Sequence, residues 1–210
     1  MNQSSILLST AYLPPIQYIT KFLFDQPVFI EKHENYQKQS YRNRCCIYGA
    51  NGLQSLVIPV KKLHGVKMPV SSVEIDFTMN WKRIHLKSIE SAYRLSAFYE
   101  YYADEVIEAY KTEIPLLFDW NLHLLNVLLR LCGINKKPAV TGEWQTSETF
   151  DFRQSINPKK RLSAPDPLFL PVPYQQVFSE RSGFLPNLSI IDLLFNEGPQ
   201  TLSVLKGGII

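Results

Sequence analysis

The order of elements in the first 31 residues restricts the fold of this chain more than any other feature of its sequence. Ser5–Tyr12 (SILLSTAY) is typical of a strand, which the Pro14-Pro15 pair ends. Ile16–Phe24 (IQYITKFLF) places apolar residues at helical spacing, and Pro27–Glu31 (PVFIE) is typical of a second strand. Because open α/β sheets bind ligands beyond the carboxyl ends of their strands, this βαβ-like opening predicts a ligand-binding loop after the first strand.

A hairpin and three helices are predicted next. Arg44–Tyr48 and Leu53–Val60 flank the Gly49–Gly52 turn (GANG), whose Gly and Asn residues favour a tight connection between antiparallel strands. Val70–Asp76 is predicted to be a further strand. Helical spacing of apolar residues then predicts the helices Trp81–Ala97, Tyr99–Lys111 and Pro115–Leu131.

The character of the chain changes after residue 137. Residues 138–186 contain seven of the fourteen prolines and only two short strand-like pieces, Ala139–Trp144 and Gln175–Phe178. This composition predicts an extended arm laid across the domain. Residues 187–206 regain helical spacing and are predicted to form two short helices separated at Gly198.

These elements predict one domain over residues 1–210. Its parts are an α/β core (1–137), a Pro-rich arm (138–186) and C-terminal helices that pack on the core (187–206). The predicted fold class is α/β, with α+β as the alternative, and the expected architecture is a central mixed sheet flanked by helices.

The charge of the chain is small overall but unevenly distributed. The formal net charge is +3, whereas residues 26–68 carry seven Lys and Arg against two Glu, and residues 74–119 carry nine acids against five bases. Either a basic ribbon faces an acidic helical region, or two solvated faces carry opposite signs. The small net charge argues against nucleic acid as a partner, although tyrosines among the basic residues would suit single-strand stacking.

The cysteines and the N-terminus favour a reducing cytoplasmic location. Cys45, Cys46 and Cys132 have no CxxC spacing, so they indicate neither a disulfide framework nor a zinc site. The N-terminus lacks a basic segment before its short apolar run, and no stretch approaches the roughly 20 apolar residues of a membrane span. No metal site and no cofactor is predicted, and the oligomeric state stays open.

Arg42, Asn43 and Arg44 form the first candidate site. They lie in the stretch YQKQSYRNRCC, directly before a predicted buried strand. Residues two positions apart in a strand share a face, so the two guanidiniums can converge on one carboxylate or phosphate. The alternative is that both arginines bridge to the acidic helical region.

His85 is the second candidate. It lies one helical turn after Trp81, and an ordinary imidazole pKa near 6.5 suits general acid or base catalysis near neutrality. The alternative is a core histidine whose hydrogen bonds are satisfied. Tyr93 lies on roughly the same side of the helix, with core packing as its alternative, and Asp119 and Asn121 are expected to cap the following helix. No phosphate-binding loop, nucleophile elbow or zinc-binding helix motif is present.

Four stretches, in this order, together resemble the WbqC-like family over nearly the whole chain: TAYLPPIQYITKF (10–22), YQKQSYRNRCCIYGANGLQSLVIPV (36–60), WKRIHLKSIESAYRLSAFYEYY (81–102) and GFLPNLSIIDLLFNEGPQTL (183–202). The resemblance implies occurrence with genes for sugar nucleotides and surface polysaccharides, notably O-antigen. Many members carry His-Gln-Pro-Asn-Tyr-Leu-Pro after the first strand, whereas this chain has LSTAYLP, without the early His and Gln. The residues that match the family pattern are Tyr12, Asn43, Arg44, Trp81 and His85.

Two functions stay open. In the first, the protein is an enzyme that modifies a nucleotide-linked sugar, for instance a group transferase, with His85 and Asn43 as catalytic residues. Its anionic substrate, a sugar nucleotide or a carboxylate, is then bound by Tyr12, Arg42, Arg44, Trp81 and Tyr93, which predicts a pocket joining these residues. In the second, the protein is a non-catalytic binding or assembly protein of the same pathway, which predicts an exposed basic patch and a buried, satisfied His85.

Overall fold

Three parallel strands form the first sheet of the computed structural model, which describes residues 5–61, 67–145, 150–159 and 166–210. The strands are β1 (Ile6–Ser9), β2 (Val28–Glu31) and β5 (Ala139–Val140), in the spatial order β1-β2-β5. Helix α1 (Ile16–Thr20), extended by a 3-10 turn, connects β1 to β2, so the βαβ-like opening is confirmed. The carboxyl ends of β1 and β2 therefore lie at the same edge of the sheet.

Strands β3 (Arg44–Gly49) and β4 (Gly52–Val57) form the predicted hairpin, and Gly52 takes a φ of 97° that favours glycine. The α/β class is confirmed, but the strands occupy two sheets rather than one mixed sheet. The outer edge of β3 is already occupied, because Ser189 N donates to Cys46 O at 2.8 Å and Tyr48 N donates to the Tyr93 hydroxyl at 3.2 Å. No further strand can pair at these positions.

The remaining helices of the described chain are α2 (Trp81–Tyr93), α3 (Tyr99–Lys111), α4 (Leu117–Leu131), α5 (Ser179–Ser182), α6 (Ile190–Glu197) and α7 (Thr201–Gly207). Most of the buried apolar side chains of both sheets and of α1–α4, α6 and α7 belong to one core cluster. Among the described residues, none of the helices is both long and apolar enough to cross a membrane.

Two predicted strands are wrong. Val70–Ser72 forms a 3-10 turn after Pro69, in which Ser72 N donates to Pro69 O, and only isolated bridges remain at Glu74 and Ile75. Gln175–Phe178 forms no strand. The side chain of Gln176 makes the backbone hydrogen bonds that a neighbouring strand would make. Its amide accepts from Leu185 N and donates to Leu185 O, both at 2.9 Å.

The arm packs against the core at several points. Leu7 N donates to Phe150 O and Phe152 N donates to Leu7 O, each at 2.9 Å, so this part of the arm lies beside β1. The buried ammonium of Lys21 in the 3-10 turn after α1 lies 2.6 Å from Asp166 of the arm. The arm thus closes over the sheet that carries the predicted ligand-binding loop.

Tyr174→Phe is expected to lower the free energy of unfolding by about 2 kcal/mol, because it removes a hydrogen bond to a buried carboxyl. The Tyr174 hydroxyl of the arm donates to Asp192 Oδ2 of α6 at 2.6 Å. Urea unfolding measures the change, with Tyr101→Phe as the matched control because Tyr101 is 76% exposed. Equal stability of the two variants would show that this contact does not hold the arm to the core.

Candidate functional site

A group of buried or partly buried polar side chains lies at the carboxyl edge of the parallel sheet. We name it the carboxyl-edge cluster, and its members are Ser9, Glu31, Glu34, Arg42 and Arg153. Ser9 Oγ at the end of β1 donates to Glu34 Oε2 at 3.0 Å. Arg42 donates from Nε to Glu34 Oε1 at 2.9 Å, and its Nη2 donates to Ser9 Oγ at 2.9 Å and to Glu34 Oε2. One guanidinium therefore orients both the hydroxyl and the carboxylate.

Glu31, at the end of β2, connects the cluster to the arm. Its carboxylate accepts hydrogen bonds from Thr141 Oγ1 at 2.8 Å and from Gln145 N at 2.9 Å. Arg153 Nη1 lies 3.6 Å from Glu31 Oε2, and Arg153 Nε donates to Asp151 Oδ1 at 2.9 Å. The arm thereby contributes a second guanidinium to an edge that the first two strands build.

The charged side chains of this cluster are almost inaccessible to water. Arg42 is 2% exposed and Glu34 is 3% exposed. Burial raises the pKa of Glu34, while the adjacent Arg42 and the Ser9 hydroxyl act in the opposite direction. A cavity of about 10 Å³, close to the volume that one water needs, lies beside Arg42 and is covered by Phe152 and Ile156 of the arm.

Arg44 differs from Arg42 in being partly exposed, and its Nε has no hydrogen-bond partner among the described residues. Both guanidiniums act on Tyr36, whose pKa is raised to about 12 by burial against their opposing effect. Arg42 is engaged by Glu34, whereas Arg44 retains a donor without a partner among the described residues. Asn43 lies between the two arginines in the sequence. Its side chain is buried and donates from Nδ2 to Ile58 O at 2.9 Å.

Two other cations of the basic stretch, Lys61 and Lys62, follow the hairpin in the sequence. Lys61 Nζ forms an ion pair with Glu74 Oε2 at 2.5 Å, which joins the basic stretch to the acidic region. Lys62 lies outside the described residues.

Within the described ranges, no group of three or more His, Cys, Asp or Glu side chains is arranged to hold a metal ion.

The other predicted site residues form an aromatic cluster under the hairpin. We use this name for Tyr12, Trp81, His85, Tyr110 and Trp120, all of which are buried. The Tyr12 oxygen lies 2.7 Å from His85 Nδ1 and is also hydrogen-bonded to the Tyr110 hydroxyl. Trp81 packs edge-on against both His85 and Trp120, with ring centroids 5.2 and 5.4 Å apart. Tyr12 and His85 are thus in contact with each other, inside the core.

His85 has the surroundings of a satisfied core histidine. It is 4% exposed, and the carbonyl of Val57 accepts a hydrogen bond from its ring. Burial lowers the pKa of His85 to about 4, and the Val57 contact only partly offsets this. The imidazole is therefore neutral near pH 7, and its catalytic role stays a prediction.

Asn121 connects helix α4 to the backbone of the carboxyl-edge cluster, and its predicted role as a helix cap is wrong. Helix α4 begins at Leu117, so Asn121 lies beyond the first turn and points into the core. Its Nδ2 donates to Thr10 Oγ1 at 3.2 Å and to Arg42 O at 2.7 Å. Asn121 thereby fixes the loop after β1 and the backbone of Arg42 to the same helix.

Tyr93 lies against the hairpin and α6. Its hydroxyl accepts from Tyr48 N at 3.2 Å, and its ring packs on Phe195 at a centroid distance of 5.4 Å. Burial raises the pKa of Tyr93, and the nearby Asp192 raises it further. The contacts of Tyr93 are those of the core packing that the sequence left as its alternative.

Four cluster members, Ser9, Glu31, Glu34 and Arg153, were missed by sequence reasoning. Glu31 ends the second predicted strand, Pro27–Glu31, which is a signal that could have identified it, whereas Ser9 ends β1 three residues before the predicted end at Tyr12. Glu34 and Arg153 follow no motif, because their places depend on contacts between distant parts of the chain.

Comparisons with known proteins give one family and one curated relative. The model of the WbqC-like protein family matches residues 10–165. The chain is also similar to "Uncharacterized protein Rv1507c" of Mycobacterium tuberculosis (strain ATCC 25618 / H37Rv), with 25% identity over 95% of this chain and 96% of the relative. No solved structure matches the chain. Because the family model spans most of the described sheet, hairpin and helices α1–α4, the chain belongs to the WbqC-like protein family.

Proposed function

We propose that the protein is a group transferase of surface-polysaccharide or nucleotide-sugar metabolism that acts on an anionic sugar intermediate at the carboxyl-edge cluster. The family is associated with polysaccharide biosynthesis gene clusters. The observation that carries the proposal is the burial of two guanidiniums and two carboxylates at the carboxyl edge of a parallel sheet. This is the edge at which open α/β sheets bind their ligands.

The cost of this arrangement supports a functional role. Each buried ion costs several kcal/mol of desolvation, and apolar residues of similar size commonly stabilise a fold equally well. Burial raises the pKa of Glu34 even beside Arg42, so the attraction does not fully offset the desolvation. A cluster that adds little stability is better explained by the chemistry that it permits.

The residues divide into binding and proton-transfer roles. Arg44, with its unpartnered Nε, binds the phosphate or carboxylate of the substrate. Glu34 accepts a hydrogen bond from the Ser9 hydroxyl, and its raised pKa suits it as a base. Transfer of a group to a sugar hydroxyl or amine requires such a base. Arg42 positions Glu34 and Ser9 rather than the substrate.

The second candidate is a non-catalytic binding or assembly protein of the same pathway. The buried, hydrogen-bonded His85 favours it, since this is the arrangement that the second hypothesis predicts. In that case Arg44 docks an anionic partner and no group is transferred.

A thermal-shift screen of nucleotide sugars, nucleotides and simple carboxylates tests the proposal. At a concentration of about 100 Kd, a ligand stabilises the native state by about 2.7 kcal/mol, which raises the Tm of a chain of this size by roughly 5–10 °C. We expect such a shift in the wild type and its loss in Arg44→Ala. Arg94→Ala is the matched control, because Arg94 is exposed on the surface.

Absence of a shift with every probe, or an undiminished shift in Arg44→Ala, would contradict the proposed site. Glu34→Gln then separates the two candidate functions, because a glutamine cannot accept the proton. A transferase variant of this kind retains the thermal shift and loses turnover. If the wild type binds the probe without any turnover, the binding-protein function is favoured.

A further inference from the structure

Trp144 is the exposed tryptophan of the three in the chain. It is 53% exposed, whereas Trp81 is 3% exposed and Trp120 is fully buried. Its ring stacks on Arg153 of the carboxyl-edge cluster, with the guanidinium carbon 4.3 Å from the ring centroid. The guanidinium is itself almost fully buried and ion-paired with Asp151, so the indole rests on a fixed support.

The backbone on both sides of Trp144 is anchored to the loop after β2. Gln145 N donates to Glu31 Oε2 at 2.9 Å, and His33 Nε2 lies 3.0 Å from Gly142 O. An exposed aromatic ring that is stacked on one face, and whose neighbouring backbone is anchored, loses little conformational entropy when it binds a ligand through its other face. Trp144 is therefore a rigid platform at the rim of the cluster.

Two planar amides adjoin the cluster through the chain neighbour of Arg153. Gln37 Nε2 lies 3.4 Å from Gln154 Oε1, at the surface, and Gln154 directly follows Arg153 in the chain. Each amide retains donors and acceptors for a ligand. A pyranose ring offers an apolar face of C–H groups and an edge of hydroxyls. An aromatic face beside amide groups is complementary to both.

We infer that Trp144 stacks on the pyranose ring of the substrate and that Gln37 and Gln154 bind its hydroxyls. This inference rests on the proposed function and deepens it by dividing the substrate between two subsites. Arg44 holds the anionic part, and Trp144 with the two glutamines recognises the glycosyl part. A nucleobase could also stack on an indole, so the test separates the sugar from the base.

Tryptophan fluorescence reads the proposed contact directly. The probes are UDP-glucose, UDP-N-acetylglucosamine and dTDP-rhamnose, with UDP and dTDP as the matched ligands that lack the sugar. We expect at least one nucleotide sugar to change the emission of Trp144 and protect it from acrylamide quenching, whereas UDP and dTDP do neither. Subtracting the signal of Trp144→Phe isolates this residue from the two buried tryptophans.

Affinity gives the second readout. Trp144→Ala is expected to weaken nucleotide-sugar binding by about tenfold and to leave nucleoside-diphosphate binding unchanged, since an aromatic stack is worth about that factor. Trp144→Phe keeps an aromatic face and retains most of the affinity. Leu95→Ala is the control for truncating an exposed apolar side chain, because Leu95 is 80% exposed.

The outcomes separate this inference from the proposed function. Nucleotide-sugar binding that is unchanged in Trp144→Ala overturns the inference and leaves the proposed function intact. An emission change with UDP or dTDP alone assigns Trp144 to the base and also overturns it. If no nucleotide sugar, nucleotide or carboxylate binds the wild type, the proposed function fails and this inference fails with it. Binding of a carboxylate but of no nucleotide sugar overturns this inference alone.

Discussion

Arg42→Ala is expected to lower the free energy of unfolding by about 3–5 kcal/mol, because it leaves the carboxylate of Glu34 buried without its guanidinium. Both side chains are nearly inaccessible, and Arg42 donates to both oxygens of Glu34 and to Ser9. Urea unfolding near pH 7 measures the loss. Lys61→Ala is the control, since it breaks an ion pair whose side chains are 62% and 52% exposed and whose loss should change stability far less.

The double variant Arg42→Met/Glu34→Leu should recover much of that loss, because two apolar side chains need no partner. The prediction follows from the raised pKa of Glu34, which indicates that desolvation outweighs the attraction between the two charges. Under the proposed function the same variant should lose turnover, since it lacks the Glu34 carboxylate and Ser9 would no longer be oriented. If Arg42→Ala proves no more costly than Lys61→Ala, the pair is not buried in solution and the site must be redrawn.

The position of the candidate site could be predicted from the order of elements, whereas its composition could not. The strand, loop, helix and strand at the start of the chain placed a ligand site after β1, and Ser9 ends that strand. The Gly49–Gly52 turn likewise predicted the hairpin, because its loop residues suit a two-residue connection. Both inferences depend on local chain geometry.

The prediction that Arg42 and Arg44 lie on one face assumed that both belong to a strand, in which side chains alternate between two faces. The strand does not extend to Arg42. Strand β3 begins at Arg44, and residues 41–43 form a turn, so the rule that residues two apart share a face does not apply. Arg153 enters the cluster from the arm, where neither spacing nor composition indicates a partner. Side chains assembled from separate segments leave no periodic signal in the sequence.

Lowering the pH from 7.5 to 4.5 is expected to destabilise the wild type relative to His85→Gln by about 3 kcal/mol, since each unit of pKa shift corresponds to about 1.4 kcal/mol. Burial lowers the pKa of His85 to about 4 from the ordinary 6.5. Between these two values the unfolded chain binds a proton that the folded chain does not, so stability is full above pH 6.5 and is lost as the pH falls toward 4. The glutamine variant does not titrate, and the difference between the proteins isolates His85 from the buried carboxyls.

Urea unfolding of both proteins at the two pH values measures the difference in the free energy of unfolding. NMR titration of the imidazole measures the pKa of His85. An imidazole that titrates near pH 6.5 would contradict the buried position of His85 and would restore it as a general acid or base. An imidazole that stays neutral to about pH 4 has no proton to donate at neutral pH, and its Nδ1 is occupied by Tyr12. Under the proposed function, proton transfer then falls to Glu34, whose carboxylate already accepts the hydrogen bond of the Ser9 hydroxyl.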